Sequence, residues 1–177
     1  YNCNENEVFS SSTGIIGEEL NPSTITSCIR TKKPSFVNSI EEAAKSIMTT
    51  DTFPKYVISK IKYKNFEVNV IGIAKGSGMI FPNMATTLGF IFTDANISSP
   101  ILKQILNLNI KTTFNAITCD GDTSTNDMVS IFSTGKANNK EIKSFKDPKL
   151  KQFISSVHQV MLNLAKRVAS DGEGATK

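Results

Sequence analysis

The chain has 177 residues, 39% hydrophobic and 20% charged, with a formal net charge of +4. This is enough chain for one buried core, and the lysines are scattered instead of forming the basic, aromatic-interleaved stripe that nucleic acid requires. No apolar run approaches the roughly 20 residues of a membrane span, so neither nucleic acid nor a membrane is expected as a partner. Cys3, Cys28 and Cys119 are widely and irregularly spaced, which argues against a disulfide framework or a zinc site and for a reducing compartment. The chain opens on Tyr1, not Met, and stops at Lys177 after a Gly-rich segment. It is expected to be processed, or a slice of something longer.

In chain order, residues 1–7 are polar. Val8–Ser12 is a short strand candidate that breaks at Thr13–Gly14, where small residues and a tight turn would expose backbone N–H groups. Val37, Ile40, Ala44, Ile47 and Met48 recur at helical spacing, with Glu41 and Glu42 near the positive end of the helix dipole. Thr49–Thr50–Asp51–Thr52 ends that helix, because these residues prefer caps and turns. Phe66–Val70 alternates as a strand and leads into residues 72–87, rich in glycine and hydroxyls, and Leu88–Phe92 leads out as a second strand. Ser99–Pro100 opens a helix with the buried stripe Ile101, Leu102, Ile105, Leu106 and Leu108. A strand is expected at Asn115–Cys119 and another at Met128–Phe132, on either side of a polar loop from Asp120 to Asp127. Phe153, Val157, Val160, Met161, Leu164 and Val168 describe a long amphipathic helix ending at Ser170–Gly174. Strands and helices alternate, so the fold class is α/β or α+β.

Flexible backbone between two stiff strands is where chemistry is commonly mounted, and this draws attention to Thr86. A threonine hydroxyl needs an adjacent base, and the α-amine of a chain that begins at that threonine can serve. Such a chain would require cutting the Ala85–Thr86 bond, which the same hydroxyl could do by attacking the Ala85 carbonyl. From spacing alone Thr86 reads first as an ordinary strand residue. Lys75 is a solvated strand-end lysine or a positive charge for a substrate carboxylate. Its position ahead of Gly76-Ser77-Gly78 is wrong for a P-loop. Asp120-x-Asp122-x-Ser124 has the opening of a calcium loop, but Thr125 and Ile131 stand where glycine and glutamate are needed. The same carboxylates resemble the strand-end pair of aspartate-nucleophile phosphatases, or simply tie down their own loop. His158, the one histidine, lies beside the apolar stripe of the last helix and reads as packed or half-exposed. A Ser-His-Asp triad or a zinc hydrolase therefore has little support, and no metal is expected.

Taken together, several segments resemble the ornithine acetyltransferase family, also called bifunctional glutamate N-acetyltransferase. They are Ser11–Gly17, Ile47–Lys55, Gly72–Ile80 through Pro82–Thr86, Asp120–Asp127 and Asp171–Lys177, in family order across nearly the whole chain. The resemblance implies the layered α-β-β-α fold of self-processing N-terminal-threonine acetyltransferases, present here as a partial chain. It implies a precursor cut between Ala85 and Thr86. Residues 1–85 would then be the C-terminal part of an α chain and 86–177 the N-terminal part of a β chain, in one partial catalytic domain spanning 1–177. Thr86 would carry the acetyl group of N-acetylornithine as an ester and pass it to glutamate in arginine biosynthesis. Acetyl-CoA serves some members as a donor, and no other cofactor is implied.

In the same resemblance Thr13 and Gly14 match the oxyanion-stabilising pair, and Lys75, Glu173 and Thr49 match ligand-contacting positions, the last within a run of four similar residues. Paired αβ units and a cytoplasmic or organelle-matrix location follow as expectations. Thr87 replaces the methionine that usually follows the Ala-Thr pair, leaving two adjacent hydroxyls. The family's chains are roughly twice this length, so an internal fragment is expected. Two other readings stay open: a self-processing aminopeptidase or amidohydrolase using the same threonine, and an inactive piece acting only in subunit contact.

Overall fold

The structure, a computed structural model, describes residues 3–13, 17–31, 39–78, 87–119, 126–172 and 174–175. They belong to two compact units, Tyr1–Ser39 and Ile40–Lys177.

In the first unit a 3-10 turn at Glu5–Glu7 is closed by the Asn4 N–H donating to Glu7 Oε2 at 2.7 Å. Helix α1, Pro22–Thr31, begins where Asn21 Oδ1 accepts the Ser23 N–H at 3.0 Å, with proline in the first helical position. The sequence reading missed α1 because its hydroxyl-rich first turns favour caps over helix interiors. The strand expected at Val8–Ser12 is not formed: Phe9 is 80% exposed and the segment joins no ladder among the described residues. Two apolar side chains are too few to bury a strand face.

The second unit opens with α2, Ile40–Ser46, whose Lys45 bridges Glu41 and Glu42 at 2.9 Å each. Ile47 and Met48 lie past its end, and Val37, the first residue of the expected stripe, is outside the described residues. A four-stranded mixed sheet follows, in the order β1 (Lys55–Lys62), β2 (Glu67–Lys75), β3 (Leu88–Thr93), β4 (Met128–Ser133). The first two pairings are antiparallel and the last is parallel. The parallel pair needs a crossover, and α3, Ser99–Ile110, lies within it. Strand β1 escaped the sequence reading because four of its eight residues are polar, lysine or serine, on both faces. Helix α4, Leu150–Ser170, packs on β1 and β2 and buries every residue of the predicted stripe. The class is α+β.

Two further expectations change. Leu108 is 56% exposed, while its neighbour Asn109 is buried. The Asn109 side chain donates to the Ile105 carbonyl at 2.8 Å, which satisfies its amide inside the core. The strand expected at Asn115–Cys119 is instead entered by a 3-10 turn at Phe114–Ala116. Both edges of β3 are already paired, and Phe114 gains more by packing beneath Gly89.

Gly72, in β2, lets α4 approach closely. A Cβ there would lie 2.6 Å from Leu164 Cδ1 and 2.7 Å from Val160 Cγ1. Gly72→Ala in the full-length protein is expected to cost about 1–3 kcal/mol of stability through overpacking, read by urea denaturation.

Candidate active site

The starts of β1, β3 and β4 and the end of β2 all lie at one end of the sheet, because Lys55 pairs with Ala74, Lys75 with Leu88, and Leu88 with Met128. Several buried polar side chains gather at this end. The Lys55 side chain is fully buried, and its ammonium lies 2.6 Å from Asp51 Oδ1 and 2.5 Å from Asp171 Oδ2. Asp51 Oδ1 also accepts the Gly76 N–H at 2.8 Å, and Oδ2 accepts the Thr49 N–H at 3.1 Å. Asp171 Oδ2 accepts the Thr52 N–H at 3.0 Å, and the Thr52 hydroxyl donates to Oδ1. Gly76 takes φ +142°, outside the range of most side chains, to aim its N–H at Asp51. Burial works against ionisation of both aspartates. The hydrogen bonds from Lys55 and the backbone, with Thr52's hydroxyl for Asp171, outweigh it and hold both below the ordinary carboxylate range.

Beside this knot, buried Lys75 at the end of β2 places Nζ 3.4 Å from Thr49 Oγ1. Burial pushes its ammonium below the usual lysine range, against the opposing pull of Asp51 and Asp127. The Thr50 and Ser77 hydroxyls meet at 2.6 Å. On the next strand Thr87, also buried, donates its N–H to Asp127 Oδ1 at 2.5 Å, and the Thr87 carbonyl accepts the Met128 N–H at 3.0 Å. Burial raises the Asp127 carboxyl, while the Thr87 N–H and the Lys75 charge act against the rise. A small cavity of about 200 Å³ between Cys119 and Gly172 flanks the Asp171 side. A larger groove on β1 and α4, lined by Tyr56, Lys166 and Arg167 among others, contains none of the sequence-predicted site residues.

Of those residues, Lys75 and Thr49 come together from 26 positions apart. Thr13 lies half-buried in the first unit. Gly14, Ala85, Thr86 and Glu173 fall outside the described residues, as do Asp120 and Asp122. His158 is half-buried with Nδ1 3.1 Å from Asn109 Oδ1, so it is packed at the α3–α4 contact.

A family model for the ArgJ family matches residues 1–177. The chain belongs to the ArgJ family. It is 45% identical over 179 residues to the arginine biosynthesis bifunctional protein ArgJ of Bradyrhizobium diazoefficiens, covering 99% of this chain and 43% of that protein. The ArgJ of Neisseria gonorrhoeae is 47% identical over 176 residues, with the same 99% and 43% coverage. A crystal structure of the Bacillus halodurans ArgJ is similar with a TM-score of 0.48 and 44% identity, covering 50% of this chain and 41% of that one. The chain thus spans about 43% of the length of these curated relatives. The family resemblance drawn from the motifs holds.

Four residues at this end of the sheet carried no individual signal in the sequence. Asp51 lay in a run that also suits a helix stop, Lys55 in a lysine-containing strand, Asp171 in a helix terminator and Asp127 at the end of a polar loop. Only their convergence in space reveals the network. Lys55→Met would leave two buried carboxylates unpaired and is expected to destabilise the full-length protein by about 3–5 kcal/mol. The pKa values of Asp51 and Asp171 are depressed in the folded state, so their contribution is complete above the ordinary carboxylate pKa of about 4. It is lost as pH falls through the lowered folded values. Urea titrations at neutral and acid pH should show that part of the acid sensitivity disappear in Lys55→Met.

Proposed function

We propose that this chain is the central part of an acetyltransferase of arginine biosynthesis that moves the acetyl group of N-acetylornithine to glutamate through an acetyl-threonine. The precursor cuts itself between Ala85 and Thr86, giving the α and β chains. The Thr86 hydroxyl then attacks the acetyl carbonyl while its own α-amine takes the hydroxyl proton. An ester forms, the amide C–N bond breaks, and ornithine leaves with the proton. The glutamate amine attacks the ester, its proton returns to the Thr86 oxygen, and N-acetylglutamate departs. Thr13 and Gly14 supply the oxyanion donors, each commonly worth about 3 kcal/mol. Lys75, beside Thr49, attracts the substrate α-carboxylate, and Glu173 the opposite, cationic end.

The observation that carries this reading is the pairing of Lys75 with Thr49 at the sheet end where Thr87, the residue after the nucleophile, enters β3. Their family supports it, since the Bradyrhizobium and Neisseria relatives are named as bifunctional proteins of arginine biosynthesis. Acetyl-CoA is a second donor in this proposal, the α and β chains assemble as paired αβ units, and the work is done in the cytoplasm. Cys3 and Cys28, free and exposed, suit a reducing compartment.

Mass spectrometry of the full-length parent should find a β chain beginning at Thr86. Thr86→Ala should abolish both cutting and turnover, and an intact chain in active enzyme would refute the mechanism. Lys75→Met should raise KM for glutamate roughly 10- to 100-fold, the loss of one charged hydrogen bond. Acetate release without any requirement for glutamate would instead mark an amidohydrolase.

A further inference from the structure

The Lys75–Thr49 pair is held from both sides by one residue, Asp51. Its Oδ2 accepts the Thr49 N–H at 3.1 Å and its Oδ1 accepts the Gly76 N–H at 2.8 Å. One carboxylate thus fixes the backbone at Thr49 and immediately after Lys75. The Asp51 side chain is itself fully buried and fastened by the Lys55 ammonium at 2.6 Å. Thr49 is exposed, while the Lys75 side chain that reaches it is buried. A hydroxyl and an ammonium 3.4 Å apart present two donors to a single carboxylate, one for each of its oxygens. Thr49 lies past the end of α2 in a run of turn-forming residues, so its hydroxyl is only as well placed as the loop that carries it.

We propose that Asp51 is a positioning residue for substrate binding, holding the Thr49 hydroxyl against the Lys75 ammonium so that both meet the same carboxylate of glutamate. This rests on the reading of Lys75 as the carboxylate site. Asp51 makes no contact with the substrate in this scheme and acts through its clamp on Thr49 and Gly76. Its charge has a second effect. Burial pushes the Lys75 ammonium below the usual lysine range, and Asp51 and Asp127 pull against that push. Among the described residues, the charged groups around Lys75 are Asp51 after α2 and Asp127 ahead of β4. Lys55 of β1 and Asp171 at the end of α4 lie behind Asp51. Of these, Asp51 both pulls on the Lys75 charge and clamps the Thr49 backbone. Removing its charge lowers the pH at which Lys75 ceases to be an ammonium.

The test is a double-mutant cycle in the full-length enzyme. Asp51→Asn keeps an oxygen for Gly76 and Lys55 but turns an NH₂ toward the Thr49 N–H, which releases Thr49. KM for glutamate should rise about 10-fold, with a larger effect on KM than on kcat. The alkaline limb of the kcat/KM–pH profile should move to lower pH, because Lys75 loses its charge sooner. In Lys75→Met, where KM is already raised and that limb is gone, adding Asp51→Asn should change KM less than about 2-fold. An Asp51 that only supports the fold would instead cost stability and multiply with Lys75→Met in KM. Should Asp51→Asn not fold, the same cycle is run on Lys55→Met, which removes the ammonium otherwise left with one partner. Wild-type KM in Asp51→Asn, multiplying effects of the two substitutions, or an alkaline limb that stays in place would each overturn the proposal. Wild-type KM for glutamate in Lys75→Met would remove the underlying reading and this inference together. A raised KM in Lys75→Met beside multiplying effects removes this inference alone.

Discussion

A single buried ammonium organises this end of the molecule. Burying an ammonium away from water is costly, and Asp51 and Asp171 lie directly against Lys55 as its counter-charges. Those carboxylates in turn take the N–H groups of Thr49, Thr52 and Gly76. Each of the four carboxylate oxygens has a donor, the condition under which a buried polar network fixes one arrangement. Replacing the whole network with apolar side chains of similar volume could leave stability unchanged. It would, however, untie the loop after α2 from the ends of β2 and α4. The network's main contribution is geometric: it sets where Thr49 and Gly76 lie, and hence where Lys75 meets its hydroxyl.

Two lysines at the same sheet end are thereby given different work. Lys55 sits directly against two carboxylates and is structural. Lys75 meets a hydroxyl, and the nearby Asp51 and Asp127 only partly offset its burial. A lysine held where its charge is costly interacts strongly with any carboxylate brought to it, because little water screens the pair. The charges of Asp51 and Asp127 reduce that cost without removing it.

The strongly periodic elements could be read from the chain. The α4 stripe at Phe153, Val157, Val160, Met161, Leu164 and Val168 is buried throughout because nothing competes with its period. The alternation at Leu88–Phe92 likewise forms a strand. Strand β1 was hidden because Lys55, which sequence logic assigns to solvent, is in fact buried and ion-paired. Asn115–Cys119 misled because β3 is paired on both sides and Phe114 packs beneath Gly89, so the segment enters through a 3-10 turn instead of a ladder. Lys75 stood out as a strand-end lysine that could meet a carboxylate, whereas Thr49 was singled out only through the family resemblance; spacing could not have joined residues from separate elements. Asp51, Lys55, Asp127 and Asp171 lay inside the segments that carried the resemblance but drew no individual role, since each looks like a surface or turn residue until its partner arrives.

The core and the chemistry are coupled through α4. The same helix that packs Val160 and Leu164 against Gly72 ends at Asp171, whose carboxylate closes the Lys55 network. Gly72 lies on β2, three residues before Lys75, so the depth at which the helix settles on the sheet also sets the reach from Asp171 to Lys55. Hydrogen bonds as short as these tolerate only a few tenths of an ångström before they weaken. A packing change in the middle of the sheet is therefore felt at its end, through a rigid helix and not through a flexible loop. Small core substitutions here act on the geometry around Lys75 and Thr87 as well as on stability.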